Sequence, residues 1–436
     1  MSDLRIRPGT RLAEVGLACT VLRGVRVLGG EPVDVLTVDG QVAAVARTLS
    51  VAAAEVDAAG LILLPGLVDL HTHLREPGGE AAETVATGTR AAAAGGFTDV
   101  FAMANTNPVT DTADRVTQLT TGAANRSARV HVVGAITQGL DGAKLSPLTE
   151  LAESGVTVFS DDGRCVDDAR LVRDALRFAA SHDLVVAQHA QHGQLASTGQ
   201  VNAGAAAECT GLAPWPGVAE EIVIARDAIL AAETGGHLHV CHVSTRRSVE
   251  IVRWAKQQGW PVTAEVAPHH LILTDEVTRS ADPRFKVNPP LRGSDDVRAL
   301  RAALLDGTID AIATDHAPHT AESKAAAWPD APFGMTALET ALPVLARVLA
   351  EESALDWALV ARLMSANPAI IGRVAAYAGR PTAVGEPATF TLVDPESTWT
   401  VDETVAFTKS TNTPFVGTTF NHRIVATAVN GRLTHH

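Results

Sequence analysis

The chain is poor in cysteine: Cys19, Cys165, Cys209 and Cys241 are scattered through 436 residues without a CxxC pair, which argues against a thiolate zinc site and against a disulfide framework. Long apolar runs are also missing. None approaches the ~18–20 residues that a membrane-crossing helix needs, and the opening MSDLRIRPGT has no apolar stretch of the secretory type. A cytoplasmic protein that touches no membrane is therefore expected. Positive charge is in deficit, with 35 basic against 49 acidic residues and a formal net charge of −14, the wrong sign for a nucleic-acid partner. Low-complexity segments are absent from a composition that is 46% hydrophobic and 19% charged, so a largely disordered chain is excluded. No GxGxxG or GxxxxGKS/T motif follows an apolar run, which leaves the dinucleotide and P-loop readings without their signature. What remains is chemistry on a small molecule.

The pattern divides the chain into three parts, 1–63, 64–374 and 375–436. In the first, VLRGVRVLGG, VDVLTVDGQVAAVA and VDAAGLILL alternate β-branched runs with glycine turns and predict short strands. In the last, PATFTLVD, TVAFTKS and HRIVATAVNGRLT do the same. The two ends are expected to pair into one small β-sandwich. The first twenty or so residues show no clear period and are expected to be poorly ordered. Between the ends, short apolar runs alternate with Ala-rich amphipathic stretches, the βα rhythm of a parallel sheet. Eight strands are expected at 64–73, 97–103, 130–136, 156–160, 184–189, 237–242, 261–266 and 309–315. Eight units over about 300 residues favour an α/β protein of the (β/α)8 TIM-like barrel type over an open sheet.

Histidines end several of those strands. His71 and His73, two residues apart on the first strand, project to the same side. They stand at the carboxyl end, where barrel active sites are built. His189 ends the fifth strand, His242 the sixth and Asp315 the eighth, so four imidazoles and a carboxylate would converge on one mouth. Such nitrogen and oxygen donors suit Zn²⁺, with Mn²⁺ and Co²⁺ as alternatives. Two ions about 3.5–4 Å apart would need a bridging ligand. Asp161 and Asp162, after the fourth strand in TVFSDDG, both qualify by position. Lys144 lies in a turn-like DGAKLSP and is disfavoured. His131, His237, His239, His269 and His270 are read as structural.

The blocks LPGLVDLHTHLREPGGE (64–80), GGFTDVFAMANTNP (95–108), VCHVST (240–245), FKVNPPLRG (285–293), IDAIATDHAPHT (309–320) and APFGMTALET (331–340) resemble those of the bacterial class I dihydroorotases, within the amidohydrolase superfamily. HLREPG, NPPLRG and ATDHAPH together separate that resemblance from the hydantoinase-like relatives. The likeness implies a (β/α)8 barrel with a sandwich from both termini. It implies two zinc ions per subunit, held by His71, His73, His189, His242 and Asp315 and bridged by Asp162 and a hydroxide. It also implies substrate contacts from His73, Arg75, Asn105, Asn288, His319, Phe333 and Gly334, and Asp315 as the catalytic acid–base. Ala104 departs from the proline usual before Asn105, and VAQHAQH departs from the usual surroundings of His189.

The activity so implied is the reversible interconversion of N-carbamoyl-L-aspartate and dihydroorotate in pyrimidine biosynthesis. Arg75 discriminates among cyclic amides, because a guanidinium holds a carboxylate bidentately and hydantoin and allantoin lack the ring carboxylate. A hydantoinase or allantoinase is the nearest alternative. A catalytically silent barrel scaffold is a third, and all the proposed ligands being present argues against it. Symmetric homodimers are the commonest assembly and set the expectation here; association with aspartate transcarbamoylase is a further partner compatible with the resemblance. Residues 319–333 read equally as a lid or as an ordered connector.

Overall fold

The computed structural model describes residues 19–121 and 126–436. The expectation of poor order for the first twenty or so residues falls outside this range, except at Cys19 and Thr20, which open a strand.

Two parallel sheets carry the middle of the chain. Leu67–Thr72, Phe97–Ala102 and Arg129–Val132 form the first. Val158–Phe159, Val185–Gln188, His237–Val240, Val262–Val266 and Ala311–Ile312 form the second, again in chain order. Isolated parallel bridges join them at both edges, Gly134 to Phe159 and Thr72 to His316. These strands coincide in order and place with the eight expected, though several are shorter. Apart from the half-buried Val130, their Val, Ile and Phe side chains are buried on both faces, as in parallel sheets covered by helices.

Three of the helices between strands begin where the sequence supplies a cap. Thr84 closes a capping box on Val85–Ala94, Asp168 accepts from the amide of Arg170 at the head of Ala169–His182, and Thr245 accepts from Ser248 at the head of Arg246–Gln257. Among the described residues no helix is long and apolar enough to cross a membrane.

The two ends of the chain share one mixed eight-stranded sheet. Cys19–Val27 pairs with Pro32–Val38, Ala54–Asp57 and Ile62–Pro65, and Ile62–Pro65 pairs antiparallel with Phe390–Thr400, which leads on to Thr419–Val429 and Arg432–His435. The expected single strand at 64–73 is in fact two. Ile62–Pro65 belongs to this terminal sheet and Leu67–Thr72 to the parallel one, with Gly66 at the handover, donating to Thr389 O (3.2 Å) and accepting from Ser365 Oγ (2.7 Å). A Cβ at Gly66 would crowd the side chain of Thr98 and stand 2.9 Å from the Thr389 methyl carbon, so a larger residue at the crossing would have to displace both.

TVAFTKS is not a strand. It forms a short 3₁₀ turn (Glu403–Val405) followed by a loop. Its backbone amides go to carboxylates instead of a neighbouring strand: Phe407 and Thr408 donate to Glu339 Oε1 (3.0 and 3.1 Å), and Lys409 donates to Glu83 Oε1 (3.2 Å). The loop is thereby drawn off the sheet edge and laid against the mouth of the parallel strands.

Candidate active site

His71 lies in the first parallel strand and His73 just beyond it; Asp162, His189, His242 and Asp315 all follow the ends of their strands. The structure brings all six together, each of them buried. Single ligand atoms of His71, His73 and Asp162, and of Asp162, His189 and His242, lie within 4.8 Å of one another. Asp162 is common to both groups. Its Oδ1 stands 3.2 Å from His71 Nε2, 3.2 Å from His189 Nδ1 and 3.5 Å from His242 Nε2, and its Oδ2 stands 3.4 Å from His73 Nε2. Asp315 Oδ1 completes the ring, 3.2 Å from His73 Nε2 and 3.6 Å from His71 Nε2.

Its neighbour Asp161 turns away, accepting from the Thr137 amide (2.9 Å) and hydroxyl. Of the two aspartates open to the sequence, only Asp162 faces the histidines. Lys144 is exposed.

The electrostatics suit a cation. Burial opposes the charged form of Asp162 and Asp315, yet the surrounding imidazoles hold both carboxyls below their ordinary range. Burial likewise opposes a charged His71, but Asp162 beside it and Glu265 behind it raise its pKa well above the usual value. His71 Nε2 is nonetheless buried without a hydrogen-bond partner while facing two carboxylates. A divalent ion among these donors would take the place of the proton and satisfy that nitrogen.

The backbone is strained at the same place. His242 (φ 32°) and Asp315 (φ 47°) both adopt left-handed conformations, as does Arg75 (φ 60°). Such residues persist only where surrounding structure holds them.

A wall of polar groups stands beside the cluster. Asn105 accepts at Oδ1 from His73 Nδ1 (2.9 Å) and donates to Asp162 O (3.2 Å), so its placement survives the alanine at position 104. Arg75 donates from Nε to Pro318 O (3.0 Å) and lies 3.4 Å from His319 Nε2. His319 Nε2 donates to Phe333 O (2.7 Å); burial and the Arg75 charge push its pKa down to about 3, so it stands there as a neutral imidazole. At Gly334 (φ 137°) a Cβ would lie 2.7 Å from Ala317 Cβ and 2.9 Å from His319 Nε2. Asn288 donates from Nδ2 to Gln191 Oε1 (2.9 Å).

The segment 319–333 is clamped. Lys324 donates to the carbonyls of Pro283 (2.8 Å), Lys286 (3.2 Å) and Pro332 (2.9 Å), and Lys286 donates to those of Trp328 (2.7 Å), Pro329 (3.1 Å) and Ala331 (2.6 Å). These bonds hold the segment against residues 283–286.

Four residues of the site escaped the sequence reading. Glu265 accepts from His71 Nδ1 and His239 Nε2 (2.9 Å each), the kind of support that orients a metal-ligating imidazole. Its signal was legible: an acid inside the apolar run PVTAEV must be paired if it is buried. Gln191 accepts from His189 Nε2 (2.8 Å). Asn412 accepts from the His319 amide (3.1 Å) and donates to Ala317 O (2.9 Å) and Gly334 O (3.1 Å). Glu83 joins His316 to the loop at Thr408 and Lys409. Neither Asn412 nor Glu83 carries a sequence signal, because their partners are remote in the chain. The five histidines read as structural all lie outside the six-residue cluster, with His239 supporting it through Glu265 and His131 bonded instead to Asp99 (2.8 Å).

Residues 60–248 match the family model described as Dihydro-orotase-like. The chain is 54% identical over 420 residues to a dihydroorotase of Streptomyces coelicolor, covering 95% of this chain and 98% of the relative. It is 47% identical over 422 residues to a dihydroorotase of Mycobacterium tuberculosis, covering 95% and 97%. Among solved structures, the L-hydantoinase (dihydropyrimidinase) of Arthrobacter aurescens superimposes with a TM-score of 0.85 at 24% identity over 96% of both chains. The dihydropyrimidinase of Brevibacillus agri gives 0.84 at 23% identity over 96% of this chain and 95% of the other. These two likenesses speak to the α/β fold, and the sequence relatives go further: by similarity along nearly its whole length, the chain belongs to the dihydroorotase family.

Proposed function

We propose that the chain is a zinc-dependent dihydroorotase, interconverting N-carbamoyl-L-aspartate and (S)-dihydroorotate in the third step of UMP biosynthesis. The observation that carries this reading is the joining of two features at one mouth: six buried His and Asp ligand groups and a guanidinium, Arg75, set beside them. His71, His73, His189, His242 and Asp315 would hold two zinc ions, with Asp162 between them. Bound there, zinc supplies a hydroxide nucleophile at neutral pH and polarises the carbonyl that is attacked.

The rest falls to the chain. Arg75, with Asn105 and His319, receives the ring carboxylate; Nε of Arg75 is already committed to Pro318 O, which fixes the direction of its planar fork. Asp315 accepts a proton as the ring carbonyl is attacked and returns it to the departing ring nitrogen, and in the biosynthetic direction the two transfers run in reverse. The imidazoles around it hold its carboxyl below the ordinary range, so it is an anion at neutral pH. Phe333 and Gly334 close the side of the substrate; a side chain at Gly334 would press on Ala317 and on His319.

For the architecture we read a closed (β/α)8 barrel over 64–374 with a β-sandwich from 1–63 and 375–436. Support comes from the bridges at both sheet edges and from the sheet that the two chain ends share.

The test is turnover of dihydroorotate by the purified, zinc-supplied chain, with hydantoin and allantoin alongside and a chelated control. Chelator-sensitive turnover of dihydroorotate alone is expected. Turnover restricted to the rings without a carboxylate would overturn the role of Arg75, and no turnover of any would favour the scaffold reading.

A further inference from the structure

Gln191 touches both a proposed metal ligand, His189, and a proposed substrate contact, Asn288. Its Oε1 lies 2.8 Å from His189 Nε2 and 2.9 Å from Asn288 Nδ2. An amide oxygen has two lone pairs and accepts both. His189 Nδ1 faces Asp162 and His242, so Nε2 carries the ring proton and donates it to Gln191.

The second bond has a consequence for Asn288. With its NH₂ group committed to Gln191, the Asn288 amide presents its other end, Oδ1, which is buried and has no hydrogen-bond partner among the described residues. Buried carbonyl acceptors are rarely left so, and a donor from a ligand satisfies one.

We infer that Gln191 is a positioning residue: it sets the Asn288 amide so that Oδ1 accepts an N–H of the substrate. The inference rests on the dihydroorotase reading and deepens it. The group recognised is an amide or ureido N–H, present in the ring and in the opened carbamoyl product alike. Were the Asn288 amide reversed, its NH₂ would face that N–H and repel it. Gln191 excludes the reversal because its oxygen, already held by His189, accepts only a donor.

The experiment is a double-mutant cycle at saturating zinc, with Gln191→Leu, Gln191→Glu, Asn288→Ala and the Gln191→Leu/Asn288→Ala pair assayed on dihydroorotate and their zinc content measured. Gln191→Leu is expected to raise KM about tenfold, the effect of one misplaced hydrogen bond, with kcat within about threefold and full zinc. Gln191→Glu, which still offers oxygen to both donors, restores most of the KM. In the Asn288→Ala background, Gln191→Leu adds less than about twofold. Multiplicative effects of the two changes, or no rescue by Glu, would each overturn the inference. Absence of turnover by the unaltered chain would sink the dihydroorotase reading and this inference with it, whereas turnover with multiplicative variants sinks the inference alone.

Discussion

Replacing Glu265 by Gln tests whether the acid behind His71 governs the metal site. Its two oxygens each accept from an imidazole at 2.9 Å, His71 Nδ1 on one side and His239 Nε2 on the other. Burial resists the charge, but the paired His239 and His71 pull its pKa down to about 2, so an anion accepts both bonds at neutral pH. Hydrogen bonds to charged groups contribute about 1.5–3 kcal/mol each. Gln has one acceptor and one donor group and cannot reproduce the pair. The cheapest accommodation leaves the Gln oxygen on His71 and turns the NH₂ toward His239, whose proton then moves to Nδ1, already 2.8 Å from Thr263 Oγ1. That relief spares an N–H to N–H clash, and what is lost is the negative charge that would make His71 a better ligand. Changes of this kind weaken metal binding or activity about 10–100-fold, or about 1.4–2.7 kcal/mol. Zinc affinity is read by competition with a chromophoric chelator, with circular dichroism to establish that the variant is folded. A folded Gln variant with unchanged zinc affinity and unchanged turnover would refute the reasoning.

Asp315→Asn should keep much of the bound metal yet lose about 10²–10⁴ in kcat, the usual contribution of a general base; an active Asn variant sinks the proton-transfer role. Gly334→Ala puts a methyl 2.9 Å from His319 Nε2 in a backbone conformation that alanine resists, so KM for dihydroorotate should rise by about tenfold or more while zinc content holds; an unchanged KM would remove Gly334 from the substrate wall. Burial raises the Glu339 pKa to about 7, against the amides of Thr408 and Phe407 and with help from Glu83. Its folded value lies above its unfolded one, so its contribution to stability is full below about pH 4.5 and is lost as pH rises through 7. The Tm of Glu339→Gln should therefore gain on that of the unaltered chain between pH 5 and 8, and parallel Tm profiles would contradict the assignment.

The parallel strands and the histidines at their ends were legible because both obey short-range rules: alternation puts His71 and His73 on one side, and a βα rhythm fixes which end of each strand meets the others. The choice between Asp161 and Asp162 was not legible in spacing. It depends on Thr137, whose amide and hydroxyl take Asp161 out of contention. The misread TVAFTKS shows the same limit from the other direction. Its β-branched residues fit a strand, but the carboxylates that capture its amides, Glu83 and Glu339, come from segments far off in the chain. Split pairing at Gly66 likewise depends on Thr389 and Ser365. Short-range pattern yields elements and their ends; groups that meet only after the ends of the chain fold back lie beyond it.

The loop that carries Thr408, Lys409 and Asn412 sets an order of events for the making of this protein. Asn412 ties together the amide of His319 and the carbonyls of Ala317 and Gly334, and Thr408 and Lys409 engage Glu83, which touches His316 beside Asp315. During synthesis every proposed metal ligand up to Asp315 leaves the ribosome well before residue 412 does. The wall around His319 is therefore completed only once residue 412 has been made, after all six of the clustered His and Asp residues, and a chain ending short of Asn412 is expected to lack the three bonds that tie His319, Ala317 and Gly334 together.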